Sequence, residues 1–257
     1  MVGIRVNIIG AGNVATHLSK ALFAAGVEIV SVYSRHFINA RALSHQFGAR
    51  AIDHLADLQD GVDLNIVTIK DDAIESVAKE LNKTIPVVHT SGIQPIDVFK
   101  GFEAYGVLYP LQTFSKQRAL DIAAIPFLIE ANSIEFERWI IQFCQDNLSD
   151  ESIKADSKKR SEIHLAAVFA CNFTTQLMAE SDKLLKSRTD LDLSILHPLI
   201  RETMEKTLEL GPHTAMTGPA KRGDCATVEK HLSKLDDTEL RSIYEMISKR
   251  ISEQHGS

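Results

Sequence analysis

The N-terminal stretch of the chain, residues 6–15, joins a short apolar run to a glycine-rich turn and the start of a helical pattern. Gly10 allows a sharp turn, because glycine has no Cβ to clash at positive φ. Gly12 lets the backbone approach a ligand closely, and Ala15 stands where a small residue lets the helix pack on the strand. This order of strand, turn and helix predicts a dinucleotide-binding fold, with the pyrophosphate at the first N–H groups of the helix.

The second predicted strand, residues 29–33, ends at Ser34 and Arg35, and this end indicates which dinucleotide is bound. An NAD site carries Asp or Glu there, because the carboxylate accepts a hydrogen bond from the ribose 2′-hydroxyl. Glu28 lies at the other end of the strand, roughly 20 Å away at about 3.3 Å per residue. A hydroxyl and a guanidinium can instead donate to a 2′-phosphate. We therefore predict NADP(H), with an ordinary solvated arginine as the alternative.

The composition of the 257-residue chain, 44% hydrophobic and 24% charged, is that of a folded globular protein. Its net charge of -6 argues against a nucleic-acid partner, since such binding depends on cationic contacts to phosphate. The longest apolar run, residues 165–171, is too short to cross a bilayer, and we expect no signal peptide before the first strand. We expect a cytoplasmic protein that binds no membrane.

Three cysteines, Cys144, Cys171 and Cys225, are widely separated in the sequence. Their spacing fits neither a metal site nor a disulfide framework. We expect buried thiols and no bound metal.

Strands alternate with helices over the first 150 residues, which predicts an α/β fold with a doubly wound, mostly parallel Rossmann sheet. After the polar, lysine-rich residues 149–160 the strand patterns end and only helical patterns follow. We expect a Rossmann domain over residues 1–155 and an all-α domain for substrate binding and dimerisation over residues 156–257. Pro198 is expected to kink a helix near its start.

Ligands of a doubly wound sheet bind beyond the carboxyl ends of its strands. Three polar segments that follow predicted strands, residues 70–72, 89–91 and 109–110, are therefore expected to line one crevice. Each segment taken alone could equally be a loop, a turn or a helix cap. The predicted cofactor-binding residues are Gly10, Gly12, Asn13, Val14, Ser34, Arg35, Ile69 and Ser91.

The first long helix of the second half, predicted over residues 162–186, is the best source of catalytic groups. Its centre, residues 165–171, is apolar nearly all round and is expected to be buried. His164 could donate a proton near neutral pH, and Asn172 could orient a carbonyl group. The alternative is that both merely bind neighbouring backbone groups. Asp224 is a further catalytic candidate, with helix capping as its alternative.

Several motifs spread over the chain resemble those of one bacterial family. They are residues 10–15, Ser34-Arg35, residues 71–74, residues 90–92, residues 164–167 with Asn172, residues 217–219 and residues 222–224. The family consists of NADP oxidoreductases with an N-terminal Rossmann domain and a C-terminal helical domain of unknown function. More distantly, the architecture is similar to pyrroline-5-carboxylate reductase, ketopantoate reductase and the β-hydroxyacid dehydrogenases.

The resemblance implies a small-molecule substrate, a cleft between the sheet edge and the helical domain, and a homodimer built through the C-terminal helices. The β-hydroxyacid enzymes carry a catalytic lysine one helical turn before an asparagine. Here Val168 stands one turn before Asn172, so that pair is absent and the mechanism does not transfer. We predict an NADPH-dependent reductase of a small carbonyl or imine compound. The alternative is an NADP-binding sensor or regulatory protein without hydride transfer.

Overall fold

Eight strands form one sheet in the computed structural model, which describes residues 3–255. The strands are β1 (Arg5–Ile9), β2 (Glu28–Tyr33), β3 (Arg50–Ile52), β4 (Leu64–Val67), β5 (Val87–His89), β6 (Tyr105–Pro110), β7 (Phe127–Ala131) and β8 (Ser152–Lys154). Their order in the sheet is β3-β2-β1-β4-β5-β6-β7-β8. Every neighbouring pair is parallel except β6 and β7, which are antiparallel. The predicted Rossmann-type sheet, doubly wound and mostly parallel, is confirmed.

Helices follow most of the strands and continue to the end of the described chain. They are α1 (Asn13–Ala24), α2 (Phe37–Ser44), α3 (Asp71–Glu80), α4 (Ile134–Asn147), α5 (Ser157–Ala167), α6 (Thr174–Arg188), α7 (His197–Leu210), α8 (Pro212–Ala215), α9 (Cys225–Leu232) and α10 (Thr238–His255). A π-helical segment, Val168–Phe173, connects α5 to α6.

The central strands are apolar at successive positions because both faces of the sheet are covered. Ile8 and Ile66 belong to a core cluster that includes side chains of α1 and α4. Their neighbours Ile9 and Val67 point the other way and join a second cluster with side chains of α3. Alternate residues of one strand therefore fill two cores, which explains the uninterrupted apolar runs in the sequence.

The chain divides into two compact units, residues 1–174 and 175–257, by the density of their internal contacts. The change from strands to helices lies earlier, between the end of β8 and the start of α5. The last strand, β8, lies within the polar residues 149–160, where no strand was identified from the sequence, and only helices follow it. This strand has three residues and is partly exposed, so it carries no apolar pattern that a sequence could reveal.

The centre of the long helical stretch is not buried by its own chain, contrary to the sequence-based expectation. Leu165 is 53% exposed and Phe169 is 62% exposed. Cys171 and Cys225 are exposed as well, whereas Cys144 is buried. Burial raises the pKa of the Cys144 thiol to about 12, so this thiol stays protonated. Apolar periodicity shows which surface avoids water, but not which molecule covers it.

The second unit consists of helices α6 to α10. Pro198 does not kink α7 but lies in its first turn, where a missing N–H costs nothing. No helix within residues 3–255 combines the length and the apolarity needed to cross a bilayer. Over the same residues, no three His, Cys, Asp or Glu side chains are grouped so that they could hold a metal ion.

Candidate active site

The glycine turn after β1 has the shape that close approach of a ligand requires. Gly10 has φ of 128°, and a Cβ there would lie 2.5 Å from Thr68 Oγ1 and 2.6 Å from the Thr68 carbonyl oxygen. At Gly12 a Cβ would meet nothing within 4 Å, so the backbone beside the start of α1 is open. The N–H groups of the first turn of α1 have no partners within the helix, and they favour an anion.

A cavity of about 690 Å³ opens beside this turn. It is lined by six of the predicted cofactor-binding residues: Gly10, Gly12, Asn13, Ser34, Arg35 and Ile69. Three cationic side chains, Arg35, Lys70 and Lys116, line it together with one carboxylate, Glu80. This balance of charge suits a ligand with several negative charges. The residues present therefore fit a phosphorylated dinucleotide.

Two predicted cofactor contacts, Val14 and Ser91, are not among the residues that line this cavity. Val14 lies in the first turn of α1, where its N–H is directed toward the helix start. The Ser91 hydroxyl accepts hydrogen bonds from the N–H groups of Ile93 and Gln94 at 3.2 and 3.0 Å. The hydroxyl of Ser91 therefore shapes the loop that follows β5.

Tyr109, near the carboxyl end of β6, forms a hydrogen-bonded pair with His164. The Tyr109 hydroxyl lies 2.9 Å from His164 Nδ1, and the two rings meet edge to face. Burial raises the pKa of the Tyr109 hydroxyl, the nearby Asp71 carboxylate raises it further, and the Arg160 charge opposes both effects. The hydroxyl therefore stays protonated at neutral pH and can donate its proton.

The loop after β5 leaves room for the imidazole of this pair. A Cβ on Gly92 would lie 2.5 Å from His164 Nδ1, so a side chain there would displace the ring. The preceding Ser91 N–H donates to His89 Nδ1 at 3.1 Å. Burial, followed by the Arg160 charge, lowers the pKa of His89 to about 3, so His89 is neutral and serves as an acceptor.

Arg160 fixes α5 one helical turn before His164. It is fully buried, and its guanidinium forms an ion pair with Glu130 on β7 and donates to the Gln94 carbonyl and the Ser157 hydroxyl. Its Nε is buried without a hydrogen-bond partner among the described residues. The ion pair ties α5 to the sheet and the bond to Gln94 ties it to the loop after β5, and together they hold His164 against Tyr109.

The other two catalytic candidates occupy different surroundings. Asn172 is exposed and lies in the π-helical segment Val168–Phe173, a rare element that is frequent at functional sites. Asp224 caps α9, accepting from the Thr227 N–H at 3.1 Å and from the Thr227 hydroxyl at 2.7 Å. These two hydrogen bonds lower the pKa of Asp224, which supports its role as a helix cap.

Sequence reasoning placed Tyr109 in the crevice but gave it no role, and it missed Lys116 altogether. The partner of Tyr109 lies 55 residues further along the chain, and the Lys116 ammonium reaches the Ala11 carbonyl across 105 residues. Neither separation leaves a local pattern. The one available signal was the order of strands, which brings Tyr109 to the same edge as the glycine turn.

Comparisons with known proteins agree with this architecture. Residues 5–90 match the family model described as "NADP oxidoreductase coenzyme F420-dependent", and residues 125–251 match one described as a domain of unknown function, DUF2520. The crystal structure of a "putative NADP oxidoreductase" from Bacteroides fragilis is 41% identical over 98% of each chain, with a TM-score of 0.90. Comparison with curated proteins gives no match.

More distant solved structures share the fold alone. Pyrroline-5-carboxylate reductase from Streptococcus pyogenes is 17% identical over 98% of this chain and 99% of its own, with a TM-score of 0.65. A reductive aminase from Aspergillus terreus, solved with NADPH and ethyl levulinate, is 13% identical over 99% and 96%, with a TM-score of 0.74.

The fold and the matches together define the class of protein as a Rossmann-type oxidoreductase with a helical C-terminal region. Within this class, the chain belongs to the family of NADP oxidoreductases that join the F420-dependent type of N-terminal domain to the DUF2520 domain. The family that the sequence motifs resembled is confirmed.

Proposed function

We propose that the protein is an NADPH-dependent reductase of a small carbonyl or imine compound. The observation that carries the proposal is the Tyr109–His164 pair, which places a proton donor at the same edge of the sheet as the glycine turn. A sensor that only binds the cofactor has no need of a partly buried, protonated hydroxyl beside an imidazole. Reduction of a polar double bond requires such a donor.

Different residues of the cavity would bind different parts of NADP(H). The N–H groups of Asn13 and Val14 would bind the diphosphate at the start of α1. Ser34 and Arg35 would hold the 2′-phosphate. When bound, NADPH supplies a hydride to the substrate carbon. The chain's own contribution is a proton from the Tyr109 hydroxyl to the substrate oxygen or nitrogen, with His164 replacing that proton. Asn172 is proposed to orient the substrate carbonyl.

The loss of NADPH absorbance over a panel of keto acids, ketones and cyclic imines tests this function. We expect turnover with at least one compound class and formation of NADP⁺ in equal amount to the product. Because the matched family is named for coenzyme F420, NADP⁺ reduction by reduced F420 belongs in the same experiment. Tight cofactor binding without any turnover would instead support the sensor.

Replacing Arg35 by alanine is expected to weaken NADPH binding by about 10- to 100-fold and to leave NADH binding within about twofold of wild type. The reason is that a guanidinium forms charge-assisted bonds with the 2′-phosphate, which NADH lacks. Fluorescence titration of both cofactors measures the effect. Arg41→Ala, an exposed arginine on α2, is the matched control. An equal loss for the two cofactors in Arg35→Ala would contradict the assignment of the 2′-phosphate.

We further propose that the protein is a homodimer built through its helices. Three aromatic or aliphatic side chains at intervals of four residues, Leu165, Phe169 and Phe173, are 53%, 62% and 48% exposed. In the second unit Leu208 is 87% exposed. Exposed apolar patches of this kind mark interaction surfaces, and the implied partner is a second copy of the chain.

The Phe169→Glu variant is expected to run as a monomer in size-exclusion chromatography with light scattering, whereas wild type has twice the mass of the chain. A charge in a desolvated apolar interface has no partner and opposes association. Ile134→Glu, which alters an apolar residue on α4 that is also mostly exposed, serves as the control and should remain dimeric. A monomeric wild type, or a dimeric Phe169→Glu variant, would refute this interface.

A further inference from the structure

The loop that leaves β6 returns to the start of α1 and contacts it in several places. Asn13 Nδ2 donates to the Phe114 carbonyl at 2.9 Å, and His17 Nε2 lies 2.9 Å from the Ser115 carbonyl oxygen. The rings of His17 and Phe114 are in contact as well, with centroids 5.4 Å apart. We call residues 112–116 the covering loop.

The contacts of the covering loop require it to pass along the ligand-binding edge of the sheet. Between β6 and β1 lie β5 and β4, which amounts to three strand spacings or about 14 Å. The five residues of the loop can reach about 17 Å when extended. The segment that follows β6 is therefore long enough to make this crossing, which leaves Lys116 beside the glycine turn.

That last residue is Lys116. Its ammonium donates to the Ala11 carbonyl at 2.9 Å, within the turn between Gly10 and Gly12, and its side chain lines the 690 Å³ cavity. The bond to Ala11 uses one of the three N–H donors of the ammonium, so two remain for another acceptor. Arg35 lines the same cavity from the end of β2, where the 2′-phosphate is proposed to bind.

We infer that Lys116 is the cationic ligand of the cofactor's diphosphate, brought to the glycine turn by the covering loop. This inference rests on the proposed binding of NADP(H) at that turn. The helix start offers N–H dipoles to the diphosphate but no full charge, since the first turn of α1 has no cationic side chain. Lys116 supplies that charge from a different part of the chain, and Arg35 supplies it to the 2′-phosphate.

Fluorescence titration of NADPH against four variants tests this inference. Lys116→Ala and Lys116→Gln are expected to weaken binding by about tenfold, the loss of one charge-assisted bond to phosphate. Lys116→Arg should stay within about threefold of wild type, because it keeps the charge. Arg118→Ala removes a charge from the same segment of the chain, but its side chain does not line the cavity. It should bind NADPH as wild type does.

Adenosine 2′-monophosphate, which lacks the diphosphate, separates the two subsites when its binding is followed by NMR. We expect Lys116→Ala to bind this probe as wild type does and Arg35→Ala to bind it more weakly. If Lys116→Gln binds NADPH like wild type while Lys116→Ala does not, Lys116 only holds the Ala11 carbonyl and the inference fails. It also fails if Lys116→Ala matches Arg118→Ala. A wild-type protein that binds no NADPH refutes the proposed function instead.

Discussion

Replacing Tyr109 by phenylalanine is expected to lower kcat for the reduced substrate by about 10²-fold while KM changes little. The hydroxyl contributes only while its proton moves to the substrate. Its loss therefore raises the free energy of the transition state more than that of the bound substrate. His164→Phe is expected to have an effect of the same order, because it removes the group that returns a proton to Tyr109. The two losses should not add, since the residues act as one hydrogen-bonded unit.

Tyr105→Phe is the matched control for this prediction. It removes a hydroxyl from the same strand, at the end away from His164, and should leave kcat unchanged. A primary isotope effect with deuterated NADPH shows whether hydride transfer limits the rate. The prediction fails if Tyr109→Phe and His164→Phe both retain more than half of kcat under conditions where the isotope effect shows that hydride transfer limits the rate. The proton would then come from another group.

Replacing Arg160 by methionine is expected to lower the free energy of unfolding by about 3–5 kcal/mol. The substitution leaves the Glu130 carboxylate partly buried without its partner, and this uncompensated charge is the main cost. Replacing Glu130 by leucine in addition should restore most of the loss, since two packed apolar side chains need no partners. Urea unfolding at neutral pH measures the three proteins.

Arg5→Met provides the comparison on the protein surface. The Arg5 guanidinium lies 3.1 Å from the Glu28 carboxylate, but the two side chains are 37% and 59% exposed. We expect this substitution to cost less than about 1 kcal/mol, because water screens and solvates both charges. If Arg160→Met lowers the free energy of unfolding by less than about 1 kcal/mol, or if the double variant recovers none of the loss, the buried pair does not stabilise the fold.

The parts of the molecule that the sequence predicted correctly are those with a local physical signature. The glycine turn can be recognised from the sequence because only glycine fits against Thr68 at the φ of Gly10. The place of Arg35 beside the cavity follows from the same pattern, because strand, turn and helix fix where the second strand ends, whereas its role toward the 2′-phosphate stays a prediction. The cap role of Asp224, given as an alternative, is seen directly in its bonds to Thr227.

The parts that the sequence could not predict depend on contacts between distant residues. No sequence pattern near Tyr109 indicates that its hydroxyl bonds to His164. No pattern near Lys116 indicates that its ammonium donates to the Ala11 carbonyl. Nothing near Arg160 indicates its buried ion pair, because Glu130 comes from a strand 30 residues earlier. The exposure of Phe169 was missed for a different reason, since the apolar character of a helix does not say whether its own chain covers it.

The antiparallel pairing of β7 with β6 decides where His164 can be. β7 runs from the ligand-binding edge of the sheet toward the opposite edge, and β8 runs parallel to it. The chain therefore leaves the sheet at the edge opposite the ligand-binding one. Helix α5 must then travel back, with Ser157 bonded to Glu130 in the body of the sheet and His164 meeting Tyr109 at the rim. If β7 and β8 had continued the parallel order, α5 would have started at the ligand-binding edge, and the His164 imidazole would lie away from Tyr109. One reversal of strand direction thus delivers the second half of a proton-donating pair to its first half.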